Sequence, residues 1–358
     1  MKFFLKPYLT ALVLSVTLVS FLTLSRSVSA EEKTQFTLAW SIYVGWMPWD
    51  YADSSGILKK WADKYGIQIN VVQVNDYVES INQYTAGQFD ATVMTNMDAL
   101  TIPAASGVDS TALIVGDFSA GNDGIVLKGD HKTLADIKGQ NINLVELSVS
   151  HYLMARALEA VGLSEQDVHV VNTSDADIVA AYQTPDVTSV VTWNPLLSEI
   201  TAQPHTSLVF DSTKIPGEII DLLVANTQTL QDNPKFAKAL TGAWYEVMSV
   251  MKSPQADAAK TMMAKASGTN LAGYNAQLQA TQMFFSPADA VQFTNSASLM
   301  KTMQKVAQFS FDHGLLGDGA PDASFIGIET PTGVFGNAGN IKLRFNSTYM
   351  QMAAEHKL

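Results

Sequence analysis

Cysteine is absent from this chain of 358 residues. A disulfide scaffold is therefore excluded, and so is any thiolate zinc site. Histidine is scarce, with six residues in all, which leaves little from which to build an imidazole metal centre. No phosphate-cradling GxxxxGK[ST] and no GxSxG nucleophile elbow occurs. Past residue 30 no stretch is long and apolar enough to span a bilayer. Tandem repeats and low-complexity tracts are also missing. Positive charge is in deficit: 22 Lys and Arg stand against 34 Asp and Glu, a net charge of −12. That balance argues against nucleic acid and anionic lipid as partners.

What is present begins with an export signal. Lys2 and Lys6 precede a mostly apolar stretch from Leu9 to Leu24, and Val28-Ser29-Ala30 is a small-residue cleavage pattern. These features predict a signal peptide over residues 1–30, cut after Ala30. With no cysteine after the apolar run, a lipid anchor is not expected. The mature chain is expected to be soluble, periplasmic and monomeric. Removing Lys2, Lys6 and Arg26 makes it three charges more negative still. About 330 residues remain, enough for two ordinary hydrophobic cores.

Strand-like and helix-like segments then alternate. Strands are expected over 36–40, 69–74, 90–95, 111–116, 125–127, 142–145, 169–171, 189–192, 207–210 and 219–225. Helices are expected over 54–65, 76–86, 97–105, 150–161 and 175–182. From Pro234 onward the apolar spacing is helical, over 234–251, 254–266, 275–283 and 287–313. The Gly- and Pro-rich tail after Gly314 is expected on the surface. Alternation of this kind predicts an α/β fold with mainly parallel sheets flanked by helices. Two chain crossings divide it into two lobes, 34–120 plus 222–358 and 121–221, with a cleft between them.

In such sheets ligands sit beyond the carboxyl ends of strands. Five segments occupy those ends: GWMPWD, TNMDAL, GDFSAGND, ELSVSHY and TWNP. They carry Trp46, Trp49 and Trp193, and the carboxylates Asp98, Asp117, Asp123 and Glu146. A cation over an indole face gains about 0.5–2 kcal/mol. Pro48 is expected to stiffen the Trp46–Trp49 loop. Glu146 closes an apolar strand, where an unpaired charge is costly, so Glu146→Gln is expected to weaken binding more than it lowers the melting temperature. Ser148, Ser150, His151 and Tyr152 offer hydrogen bonds, and Glu218 and Asp221 are weaker candidates. Structural roles stand beside these: either indole can pack a core, Asp98 can cap a helix, Asp117 or Asp123 can fix a turn, and Glu146 can pair with a base. Basic residues are nearly absent from the five segments, whereas an anion site calls for Arg, Lys or a helix amino terminus. Paired carboxylates also suit a secreted glycoside hydrolase, without being specific to one.

The segments AWSIYVGWMPWDYADSSGILKKWADKYGI, DATVMTNMDAL, DFSAGNDGIVLKG, NINLVELSVSHYLMARAL, VVTWNPLL and IIDLLVAN together resemble a known family. It is the periplasmic substrate-binding component of nitrate/sulfonate/taurine-type ABC importers. More narrowly, the chain is similar to the urea-carboxylase-associated branch, whose members have been reassigned to guanidine. The resemblance implies a two-lobed type II periplasmic binding protein fold, a hinge, no cofactor and no enzymatic activity. It also implies a membrane permease with a cytoplasmic ATPase as partner. Guanidinium is flat, cationic and edged with N–H donors, so it calls for aromatic faces and in-plane carboxylates. Trp46, Trp49 and Trp193 could supply the faces, and Asp98, Asp123 and Glu146 the edges. Urea, a small amide or a quaternary amine are the alternatives among binding proteins. A cofactor-biosynthesis enzyme on the same fold is a further one, opposed by the missing cysteine and sparse histidine.

Overall fold

A computed structural model describes residues 32–358; the expected signal peptide over residues 1–30 lies outside the described residues. From Lys33 onward the chain forms one compact unit built on two mixed sheets. Their strands are β1 (Gln35–Trp40), β2 (Gln68–Gln73), β3 (Ala91–Thr95), β4 (Ser110–Ser119), β5 (Asp123–Lys128), β6 (Asn141–Leu144), β7 (His169–Asn172), β8 (Ser189–Trp193), β9 (Thr206–Asp211), β10 (Ile220–Asn226), β11 (Thr281–Met283), β12 (Gly327–Thr330), β13 (Gly333–Phe335) and β14 (Ile341–Phe345). The first sheet runs β13-β12-β14-β4-β10-β3-β1-β2, with β11 beside β4; the second runs β7-β6-β8-β5-β9.

Connection type sets strand direction. Where a helix links successive strands, as between β1 and β2 or β6 and β7, the pair is parallel, because the helix returns the chain to its starting edge. Where the chain passes directly between sheets, the arriving strand is antiparallel. Thus β5 opposes β8 and β9, and β10 opposes β3 and β4. The sheets are therefore mixed rather than mainly parallel. The chain leaves the first sheet after Ser119 and re-enters it at Ile220. Asp221, expected at the edge of the second lobe, stands on β10 in the first sheet.

Most apolar periods appear as the elements they predict. The helix Pro234–Met251 buries Phe236, Leu240, Trp244, Val247 and Met248 along one face, and β3 is buried throughout. Four expectations are corrected. Residues 47–54 form a helix, not a stiff loop, since Pro48 falls in its first turn where no N–H is needed. The helix expected over 275–283 instead spans Leu271–Gln279, capped by Asn270; residues 281–283 then alternate buried, exposed, buried and join β4. The helix expected over 287–313 breaks at Asn295-Ser296, where Ser296 caps the next helix, Ala297–Asp312. The tail is no surface strap, because β14 lies beside β4 with Leu343 and Phe345 buried.

Polar contacts tie the two sheets' loops together. Ser174 donates to Asp76 at 2.8 Å, and the Tyr77 amide donates to Asp175 at 3.2 Å. Glu165 meets both His151 and His313, and Glu218 receives Arg156, Lys305 and Tyr152. Close packing also constrains the helical layer. A Cβ on Gly242, in helix Pro234–Met251, would sit 2.4 Å from the Trp61 ring. Gly242→Ala is therefore expected to destabilise by about 1–3 kcal/mol through overpacking, measured by urea unfolding. Without that contact, the higher helix propensity of alanine would stabilise the protein by up to about 1 kcal/mol, so the sign of the change decides.

Candidate ligand site

Beyond the carboxyl ends of β1, β3 and β8, and beside β5 and β10, the chain closes a cavity. It is lined by Tyr43, Trp46, Tyr77, Thr95, Asp123, Val149, Trp193, Ile219 and Asp221. Both sheets contribute to it. The space open to the centre of a water molecule is about 10 Å³, room for no more than about one water. Four rings run through the wall in succession. Tyr43 meets Trp46 edge-on at 4.8 Å, Trp46 meets Tyr77 at 5.5 Å, and Tyr77 meets Trp193 edge-on at 5.6 Å. Among the described residues, no Lys, Arg or His lines the cavity.

Local sequence explains the placement. Tyr43 and Trp46 share the turn that follows β1, where the Trp46 amide donates to the Tyr43 carbonyl at 2.9 Å. Gly45 between them is required, because a Cβ there would lie 2.5 Å from Asp117 Oδ2. Tyr77 opens the helix Tyr77–Thr85, held by the Asp76 cap. Asp123 begins β5 directly opposite Trp193, the last residue of β8. A ring and a carboxylate thus meet at one ladder rung.

Four carboxylates are buried in or behind these walls: Asp98, Asp117, Asp123 and Asp221. The Tyr77 hydroxyl donates to Asp98 Oδ2 at 2.6 Å, and the Thr95 hydroxyl at 2.8 Å. Burial pushes Asp98 up to about 6 against those bonds and the nearby Val149 amide. That amide belongs to the first turn of helix Val149–Ala160, so Asp98 already occupies the end of the helix that could receive an anion. Tyr43 donates to Asp117 Oδ1 at 3.0 Å and accepts from Asn122 Nδ2 at 3.0 Å. Burial raises Asp117 to about 7, and Asp123 to about 7. Asp221 is also raised well above the ordinary carboxylate range, first by burial and then by the charge of Asp117. Asp98 Oδ1, Asp117 Oδ2 and Asp221 Oδ2 make no well-aligned hydrogen bond, nor do the indole N–H groups of Trp46 and Trp193.

Trp46, Asp123 and Trp193 therefore line one cavity, with Asp98 and Asp117 directly behind it. Trp49 does not reach it. Its ring packs on Trp244 at 5.2 Å and closes a second small void. Glu146 is exposed and outside the lining, because β6 ends at Leu144 and residues 146 and 147 turn outward. The premise that its charge is buried fails, and with it the basis for Glu146→Gln as the decisive substitution. Ser148 caps the helix Val149–Ala160, accepting from Ser150 N–H at 3.2 Å and donating to the Val145 carbonyl at 2.7 Å. Glu218 is consumed by its ion pairs. Tyr43, Tyr77 and Asn122 went unforeseen; adjacency to the Trp46 turn and to the Asp76 cap was the available signal for the two tyrosines.

Two mixed α/β sheets joined by direct crossings, with a small cavity where their strand ends meet, make up the periplasmic binding protein fold. Residues 59–258, more than half of the chain, match the family described as NMT1/THI5 like, and the chain belongs to that family. It is similar to the taurine-binding periplasmic protein of Escherichia coli strain K12, at 22% identity over 143 residues, 39% of this chain and 44% of that protein. The chain spans less than half the length of the curated relatives it matches. Two solved structures share the fold. The alkanesulfonate-binding protein SsuA from Xanthomonas axonopodis pv. citri, bound to MOPS, has a TM-score of 0.66 at 18% identity, covering 81% of this chain and 96% of that one. The periplasmic aliphatic sulphonate binding protein SsuA from Escherichia coli has a TM-score of 0.65 at 20% identity, covering 79% and 94%. Among the described residues no helix is long and apolar enough to cross a membrane.

The carboxylates have a consequence for stability. Their folded pKa values lie above the ordinary range, so between about pH 4 and pH 7 the folded chain holds more protons than the unfolded one. The stability they contribute is fully present below the unfolded value and is lost as pH rises through the folded values. Ligand-free protein is therefore expected to melt at a higher temperature at about pH 5 than at about pH 8, as checked by calorimetry. A melting temperature that climbs across that window would count against the buried, unpaired state of these groups.

Proposed function

We propose that the protein is the solute-binding component of an ABC importer, acting in the periplasm, and that its ligand is guanidinium. The observation that carries this reading is the cavity wall: aromatic rings and carboxylates with no basic side chain. An enclosed anion would need a positive partner, and Asp98 already occupies the helix amino terminus that would otherwise serve. The relatives are named for taurine and sulfonates, which carry an anionic sulfonate group; this wall offers no basic side chain to such a group. Guanidinium is among the smallest organic cations, and the small void must widen as the lobes part to admit it. Trp46 and Trp193 supply ring faces and Asp123 an in-plane acceptor, while Asp98 and Asp117 hold the tyrosines that complete the wall. Lobe closure about the passages after Ser119 and before Ile220 would enclose the guest and present one shape to a permease with a cytoplasmic ATPase.

Urea is the second reading. The unpartnered indole N–H groups of Trp46 and Trp193 favour a guest with an acceptor oxygen, which guanidinium lacks. Calorimetric titration of the mature protein with guanidinium, urea, choline, nitrate and taurine separates these cases. Guanidinium is expected to bind at least about tenfold tighter than any other, a difference of about 1.4 kcal/mol. Tight binding of taurine or nitrate with none of guanidinium would overturn the reading.

A further inference from the structure

The carboxylates of the cavity do not stand in equivalent places. Asp117 on β4 and Asp221 on β10 are register partners in an antiparallel ladder, and both are buried with an unpartnered Oδ2. The groups facing them are Tyr43 from the turn after β1, Asp123 from β5 and Tyr274 from helix Leu271–Gln279, none of them cationic. Tyr43 has one proton and directs it to Asp117 Oδ1, and the Tyr274 hydroxyl donates instead to the Val44 carbonyl. Two adjoining buried carboxylates with no base between them cannot both be charged. Asp123 differs: it begins β5 opposite Trp193, lines the cavity and has Ser119 as its local hydrogen-bond partner.

Resting on the cation reading, we propose a division of labour: Asp221 is held as a neutral acid hydrogen-bonded to Asp117, and Asp123 is the counter-charge of the bound guest. Asp221 is then a positioning residue that shapes the wall and keeps Asp117 in place, and its charge contributes nothing to affinity. Asp123 sets the preference for a cation over its neutral isostere. The raised values of Asp117 and Asp221 agree with a retained proton.

Asparagine mimics a protonated carboxyl, so two substitutions separate the roles. Asp221→Asn is expected to hold guanidinium within about threefold of the parent protein, because the site loses no charge. Asp123→Asn is expected to lose at least about a hundredfold, because a buried counter-charge disappears. Near-ultraviolet circular dichroism of each variant checks that it is folded. Equal losses in two folded variants, or full binding by Asp123→Asn, would overturn the assignment. A second readout needs no ligand. Infrared difference spectra at about pH 8, above the values of Asp117 and Asp123, should show a protonated-carboxyl stretch that Asp221→Asn removes. If the parent protein binds no guanidinium, the ligand reading fails while this band still decides the proton. If the band is absent, or survives in Asp221→Asn, the proton assignment fails on its own.

Discussion

Burying carboxylates without a basic partner is the constraint around which this molecule is arranged. Removing such groups from water is costly, and proteins ordinarily answer with an ion pair or a proton. Elsewhere the chain answers with ion pairs. Glu218 takes Arg156 and Lys305, Asp109 takes Arg344, and Glu165 takes His313, whose pKa it raises. Around the cavity it answers with tyrosine and threonine hydroxyls, and burial raises the pKa values of the carboxylates. The site is thus left with acceptors in excess, a condition that a small cation relieves and an anion aggravates.

The scaffold serves that arrangement. Direct crossings bring β4 and β10 side by side, setting Asp117 opposite Asp221, and bring β5 against β8, setting Asp123 opposite Trp193. A fully parallel sheet with helical crossovers would have kept these strands apart. The turn after β1 then inserts Tyr43 and Trp46, made possible by the bare Cα of Gly45. The fold is shared with proteins named for sulfonates. Ligand chemistry resides in side chains at strand ends, which can change without disturbing the sheets.

Much of this was legible in the sequence, for identifiable reasons. Long periodic segments declared themselves: residues 234–251 because an apolar stripe persists over many turns, and β3 because a short apolar run sits between turns. Asp123 and Trp193 were legible because they lie where apolar strands begin or end. Short runs misled. Residues 281–283 and 341–345 are too brief for a period to be counted, so β11 and β14 escaped notice and the tail was misplaced. Trp49 and Trp46 were indistinguishable by composition, and only the helix over Met47–Ser54 turns one into the core and leaves the other at the cavity. Glu146 looked buried because its strand is apolar, but the strand stops two residues earlier. Tyr43 and Tyr77 gave no signal of their own, since their role depends on carboxylates distant in sequence.

The central claim is that a cation replaces protons in a buried acidic pocket. Its most direct test is the number of protons released on binding, obtained from calorimetry of guanidinium at about pH 6.5 in buffers of different ionisation enthalpy. At that pH Asp123, with a value of about 7, is largely protonated in the empty site and ionised when loaded. A release of about half a proton or more per guanidinium bound, shrinking toward higher pH, is the predicted result. Binding heat that is independent of the buffer, or uptake of protons, would contradict the account.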